Sequence, residues 1–316
     1  MVRYLLKRLL FIVFSILIVI TFLYLILHMS MSKFWAFTSF KVGLEMAWDD
    51  FVVYAKGIIF DQYFGESMYG QDVWELVWPK FKISMVYNLT SLIVFVPVGI
   101  FLGVQATIHK NKLVDVLITI FSMVFNSIPS FLLIFFLVIY VGYTWELLPP
   151  IAPYYSAPLG KQLLGLIIPV FALTAGPIGK MAQLVKGELV EIMNSNYFLL
   201  LRTKGLTKKR SIYKHGLKEA MVSVIPEIIP TFVTMLGFSF AIELTYNIFG
   251  VSKLLLNSMI IRGEMYNSLA IDIPVVVTIG ILIYGTIMIS AFFTDVALQF
   301  IDPRIAIHGN KYGVKK

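Results

Sequence analysis

Six stretches of this chain are apolar for long enough to cross a bilayer, and polar residues collect between them. They cover residues 9–27, 85–108, 113–141, 163–185, 225–249 and 273–300. A helix needs about 20 consecutive apolar residues to span the hydrocarbon core, so the pattern predicts six transmembrane helices. The third and sixth stretches exceed that length and predict tilt, or extension past the bilayer. The first follows Arg3, Lys7 and Arg8. It is long and no small-residue cleavage site follows it, which predicts a retained helix rather than a signal peptide. Proline recurs inside the spans, at Pro97, Pro129, Pro169, Pro177, Pro226 and Pro230. Each ring removes a backbone donor and can kink a helix, although membrane helices tolerate single prolines well. Together they predict a bent, cavity-forming bundle. Gly99 and Gly103 make a G-x-x-x-G pattern, which permits close helix contact and also arises by chance.

The polar intervals divide the chain into an N-terminal end with the first helix (1–27), a second segment (28–84), a core with helices two to six (85–300) and a tail (301–316). The core includes a long polar loop at 186–224. Six spans place both termini on one side. Of the 26 Lys and Arg residues, eighteen lie on that side and eight on the other. Positive residues accumulate on the cytoplasmic face, so both termini and the 186–224 loop are expected inside. The five tryptophans, Trp35, Trp48, Trp74, Trp78 and Trp145, then fall outside. Segment 28–84 mixes apolar patches with charges and predicts a compact, partly helical structure at the outer mouth. The second external loop, "WELLPPIAPYYSAPLG", is proline-rich and predicted irregular.

Composition narrows the chemistry. The chain is 59% hydrophobic and 14% charged, where soluble domains carry roughly 25% charged residues. A net charge of +8 is explained by membrane topology rather than by nucleic acid. There is no cysteine, which excludes disulfides and thiolate chemistry. No G-x-x-x-x-G-K-[ST] loop exists, because Gly160-Lys161 and Gly179-Lys180 are followed by Gln162 and Met181. The chain therefore cannot cradle nucleotide phosphates in the Walker manner, and no cofactor is expected in it. His28, His109, His215 and His308 are too scattered for a metal site. "NLT" at Asn88 sits within a predicted span and reads as a chance match to the glycosylation pattern. Intramembrane acids are few. Glu243 is the clearest and is expected to face the bundle interior or water, in a pathway role or a structural one. Glu227 and Asp295 are expected near span ends.

One polar segment stands apart. "NYFLLLRTKGLTKKRSIYKHGLKEA", residues 196–220, carries seven Lys or Arg and one acid, yet opens with Tyr197, Phe198, Leu199, Leu200 and Leu201. Asn196 can cap a helix of about two turns, Gly205 suits the position that ends it, and Thr207 can cap a second, basic helix leading into span five. The apolar run calls for a contact site. Lipid and a groove on a partner protein are both open destinations. The glycine break and flanking charges fit a knob seated in a partner better than an interfacial helix.

The same residues resemble a family. "NYFLLLRTKGLTKKRSIYKHGLKEAMVSVIP" is similar to the cytoplasmic loop of ABC importer permeases in the form used by the oligopeptide/dipeptide/nickel group, through Tyr197, Lys204, Gly205, Leu206, His215, Leu217 and Pro226. "SIPSF" (127–131), "LIIPVFALT" (166–174) and "IDPRI" (301–305) resemble its further motifs in the same order. The N-terminal "RYLLKRLL" and the long first external segment resemble the OppB/DppB-type subunit. The departures are specific. Leu199, Leu200 and Leu201 stand where the general loop has Glu-Ala-Ala, and Asn196 where Asp is common. "ELTYNIFGVS" keeps Glu243 and Gly250 but has Phe249 for a proline and Ser252 for a glycine.

The resemblance implies an all-α, six-helix type I importer permease fold in a bacterial or archaeal plasma membrane. It implies half of a translocation path, completed by a second homologous permease. Two ATPase subunits would bind ATP and magnesium below, and an external binding protein would deliver cargo. Tyr197, Phe198, Leu201, Arg202, Lys204, Gly205 and Leu206 would couple to an ATPase. Pro129, Phe131, Glu243 and Gly250 would line or gate the path. Oligopeptides or dipeptides are the expected cargo, with nickel chelates or other small solutes as the alternative. An ion-coupled secondary transporter finds little support in so few intramembrane acids, and a membrane hydrolase has no catalytic constellation.

Overall fold

The computed structural model describes residues 2–31, 40–154, 156–259, 261–262 and 269–301. Trp35 and most of the tail, with its Asp-Pro-Arg-Ile run at 302–305, lie outside these residues. Backbone groups cannot hydrogen-bond to water in a bilayer core, so apolar runs of this length fold as helices. Five helices are long and apolar enough to cross, at Lys7–Met29, Val73–Ile108, Leu159–Met193, Lys208–Thr245 and Ile273–Phe300. A bent pair, Leu113–Ser127 and Ser130–Thr144, brings the number to six.

In chain order the helices are α1 (Val2–Met31), α2 (Phe40–Lys56), α3 (Val73–Ile108), α4 (Leu113–Ser127), α5 (Ser130–Leu137), α6 (Leu159–Met193) and α7 (Asn196–Thr203). They continue as α8 (Lys208–Ser211), α9 (Leu217–Val224), α10 (Ile228–Thr245), α11 (Val251–Met259) and α12 (Ile273–Ile301). Wide π turns extend α2 through Gly57–Asp61 and α5 through Val138–Thr144. A π turn and a 3-10 turn join α8, α9 and α10 into one path, with Pro226 in the 3-10 turn. Among the described residues, one short antiparallel ribbon pairs β1 (Ile261–Arg262) with β2 (Leu269–Ala270), and an isolated bridge joins Glu66 and Asp72.

The third span departs from the tilted helix that its length suggests. Its two halves meet at 101°. A proline ring disfavours helical geometry in the residue before it. Ile128 is extended (φ −93°, ψ 118°), and Pro129 (φ −58°, ψ 138°) is the N-cap of the next helix, a position whose amide takes no part in the helix's own bonding, so its missing donor costs nothing. Pro169 and Pro177 lie inside α6 without ending it.

Contacts divide the chain into two units. The first contains Met85–Ile248 and the last turns of α12. Within it, α6 is packed by α3 on one side and α4 on another. A Cβ at Gly99 would lie 2.6 Å from Met181 Cβ, and one at Gly103 would lie 2.6 Å from Val185 Cβ and 2.7 Å from the Ala182 carbonyl. The G-x-x-x-G is thus used as a crossing point. A Cβ at Gly179 would meet Ser122 Cα at 2.9 Å, so α4 also approaches backbone to backbone. An ion pair fixes this second contact: Lys186 Nζ donates to Asp115 and, at 3.2 Å, to Thr119 Oγ1, while Asp115 accepts the Asn111 amide at 3.0 Å. Lys186, expected in a cytoplasmic flank, is therefore a packing residue of α6.

The second unit contains Val2–Ser84 and Phe249–Ile289. Tyr24 of α1 stacks on Tyr54 of α2 at 5.1 Å and meets Phe51 at 5.6 Å. The Tyr54 hydroxyl is 3.2 Å from Thr278 Oγ1 of α12, and burial pushes its pKa up to about 12. Phe64, Trp74, Trp78 and Phe81 form a continuous ring stack. The predicted helical structure in 28–84 is thus present as α2 and the start of α3.

Asp272 caps α12 and ties in the turn before α3: its Oδ2 accepts the Met68 amide at 2.8 Å. The carboxyl is 2% exposed. Burial raises its pKa, and the Met68 and Val275 amides only partly offset this. A carboxylate whose folded pKa is raised binds more protons folded than unfolded, so stability falls as pH rises from the ordinary carboxylate range through the folded pKa. The protection factor of the Met68 amide, its exchange rate corrected for the intrinsic base-catalysed rise, is expected to fall over that window. Asp272→Asn, which keeps an acceptor, is expected to remove the pH dependence.

Candidate functional site

The loop after α6 is built by two capping devices. Ser195, rather than Asn196, caps α7: its Oγ accepts the Phe198 amide at 3.3 Å and donates to the Ile192 carbonyl at 2.6 Å. Asn196 is the first helical residue. At the other end Gly205 has φ +80°, a left-handed conformation that only glycine adopts without cost. The Gly205 amide donates to Arg202 at 3.0 Å and the Leu206 amide to Leu201 at 3.3 Å, the paired pattern of a Schellman stop. Thr207 then caps α8 by accepting the Arg210 amide at 3.4 Å. Ser195→Ala is expected to cost about 1 kcal/mol of α7 stability, read as faster amide exchange at residues 197–199.

These caps set which way the apolar run faces. Phe198 and Leu201 are 5% and 6% exposed, turned into their own chain. Tyr197, Leu199 and Leu200 are 43%, 59% and 53% exposed. Arg202, Lys204 and Gly205 are exposed as well, and Leu206 is half-buried. So the run is two-faced: Phe198 and Leu201 hold the knob onto the protein, and Tyr197, Leu199 and Leu200 present it. The family resemblance names Phe198 and Leu201 among the coupling residues and leaves out Leu199 and Leu200. The signal was available in the i, i+3 spacing of 198 and 201, which places them on one face.

The broken third span creates a second feature. Where α4 turns away at Ile128, a cavity of about 260 Å³ opens between the break, α6 and the first half of α10. Pro129 lines it, together with Ser127, Ser130, Thr231, Thr234 and Lys180. Lys180 Nζ donates to Glu227 Oε2 at 3.2 Å, so Glu227 is joined to α6.

The other expected pathway residues lie elsewhere. Phe131 is exposed on α5 and is not part of the cavity wall. Glu243 is 2% exposed, and its carbonyl accepts the Ile248 amide at 2.8 Å in the stop that follows α10, where Asn247 has φ +55°. Gly250 is buried in the second unit, just before α11. Next to Glu243 along α10, Tyr246 fastens the proline-rich loop: its hydroxyl donates to the Pro149 carbonyl at 2.7 Å, and its own carbonyl accepts the Ala152 amide at 2.9 Å. Span five therefore ends at Thr245 rather than at residue 249.

The segment that carries this capped, basic loop and the cavity lies within a stretch similar to known proteins. Residues 96–307 match the family described as binding-protein-dependent transport system inner membrane component. The chain belongs to this family. The dipeptide transport system permease protein DppB of Lactococcus lactis subsp. cremoris is 25% identical over 97% of this chain and the whole of that protein. The oligopeptide permease OppB of Salmonella typhimurium is 29% identical over 77% of this chain and 75% of its own. The Bacillus subtilis DppB is 28% identical over 82% and 79%. Among solved structures, the MetNI methionine ABC transporter in inward-facing conformations overlaps with a TM-score of 0.47 at 18% identity, covering 71% of this chain and 93% of that one. This family member is thus a multi-pass membrane transport component, with the loop at 196–206 inside the matched region.

Proposed function

We propose that this chain is the transmembrane permease subunit of an ATP-driven importer of dipeptides or oligopeptides, forming half of the translocation path. The observation that carries this is the outer face of α7. Tyr197, Leu199 and Leu200 are presented by a helix whose two ends are capped and whose other face is anchored, which is the form of a rigid docking element. In this reading that face seats in a cleft of a separate ATPase subunit, with Arg202 and Lys204 at its rim. ATP and magnesium belong to that partner. Closure of two ATPases moves two such knobs together and switches the path between its two openings. A second permease, an external binding protein and cytoplasmic termini complete the assembly.

The peptide cargo rests on the DppB and OppB relatives. The test is purification of the assembled complex from its native membrane, followed by reconstitution. We expect a second six-span chain and ATPase subunits to co-purify, and ATP-dependent uptake of a labelled dipeptide. Uptake of a nickel chelate in its place would overturn the cargo. Ion-gradient uptake by the purified chain alone would overturn the class.

A further inference from the structure

Two lysines on α6 are paired with acids, and the two pairs are built differently. Lys186 and Asp115 are locked: Asp115 is buried at 6% exposure, and Thr119 and the Asn111 amide complete its shell. Lys180 and Glu227 are not. Their side chains are 52% and 42% exposed, they meet through a single 3.2 Å contact, and Lys180 forms part of the cavity wall at the helix break. A half-exposed pair contributes little net stability, so a second carboxylate can replace Glu227 at small cost.

The rest of that wall is polar. Asn126, Ser130 and Thr231 bring amide and hydroxyl groups to it, whereas the Ser127 and Thr234 hydroxyls donate to the Met123 and Pro230 carbonyls at 2.7 and 2.9 Å; Lys180 is its sole charged side chain among the described residues. Lys180 is about 32 Å along α6 from Leu159, and Glu227 about 27 Å from Thr245, at 1.5 Å per residue. Those lengths are close to the thickness of the hydrocarbon core; a span that starts at Leu159 and one that ends at Thr245 would bring both groups to the same interface, where a charge is tolerated beside water or a partner.

We propose that this cavity is a carboxylate subsite of the translocation path. Lys180 takes a carboxylate of the passing substrate in exchange for Glu227, and Glu227 reclaims Lys180 when the substrate leaves. The inference deepens the peptide reading and rests on it for the identity of the cargo, since a peptide carries a C-terminal carboxylate.

Two measurements test it, one independent of cargo. The chain has no cysteine, so Thr234→Cys places a single thiol in the cavity wall of the full-length purified protein. Its rates with a small anionic and a small cationic methanethiosulfonate give the local charge preference. Lys180→Gln is expected to lower the anionic-to-cationic rate ratio at least fivefold, and Glu227→Gln to raise it. An unchanged ratio in Lys180→Gln overturns the subsite. In the reconstituted complex, Lys180→Gln is expected to slow uptake of a free-acid peptide about tenfold relative to its C-terminal amide, with Lys180→Arg restoring the difference. The binding protein is the same throughout, so its own selectivity cancels. Equal slowing of both peptides overturns the exchange and makes Lys180 a structural residue. If wild type carries neither peptide while the thiol ratio shifts as expected, the cargo reading fails and the anion-selective cavity stands.

Discussion

Leu200→Asp is expected to abolish transport while leaving the protein in the membrane at its normal level. Leu200 is 53% exposed in this chain, and surface substitutions of that kind change stability by about 0.5 kcal/mol or less. In the proposed docking the same residue enters an apolar cleft, where a carboxylate has no partner. Loss of a central apolar anchor costs about 2–4 kcal/mol, or roughly 30- to 1,000-fold in affinity. The measurement is paired: membrane abundance, which should hold, and co-purification of the ATPase with uptake, which should fail. Leu201→Asp gives the contrast. At 6% exposure it faces inward, so it should lower abundance or loosen α7 before any partner is involved. Normal uptake by Leu200→Asp would remove the docking role from this face.

Gly103→Val should fail for a different reason. Its Cβ would fall 2.6 Å from Val185 Cβ and 2.7 Å from the Ala182 carbonyl. The second obstacle is backbone, so rotamer changes cannot relieve it and α3 must move off α6. Overpacking costs about 1–3 kcal/mol where side chains can adjust, and this site belongs at the top of that range. We expect a clear loss of thermal stability in the detergent-solubilised protein. Gly237→Ala is the control. Nothing lies within 4 Å of its added Cβ, so the change should be neutral or stabilising by up to about 1 kcal/mol through helix propensity.

The leucines at 199–201 show how far the residue pattern reaches. Their apolar character was plain, and it pointed to a contact. Their division into an outer pair and an inner residue depends on where α7 begins. Ser195 and Asn196 are both good caps, so the choice between them turned on which side chain reaches the Phe198 amide. Gly205 and Thr207, by contrast, had few competitors for their positions and took the roles expected of them.

The residues expected along the path carry less local signal. Pro129 was legible as one proline among six, with nothing to distinguish it from Pro169 or Pro177. Only the folded chain shows that the helix breaks there and opens a cavity, while α6 continues through its own two prolines. Lys180 and Lys186 were counted as flanking charges. They are 47 and 71 residues from the acids they meet, a separation at which side-chain pairing leaves no local pattern.

What the sequence determined by itself is what short-range physics controls: six spans, because unpaired backbone is intolerable in lipid; the proposed sidedness, because positive charge accumulates inside; and the glycine stop after α7, because a left-handed turn costs least at glycine. Tertiary structure decided which apolar side chains are core and which are presented. It also decided which proline breaks its helix, and which lysine is paired in a buried site and which in a half-exposed one. Each of those depends on what the rest of the chain places opposite, which no single segment encodes.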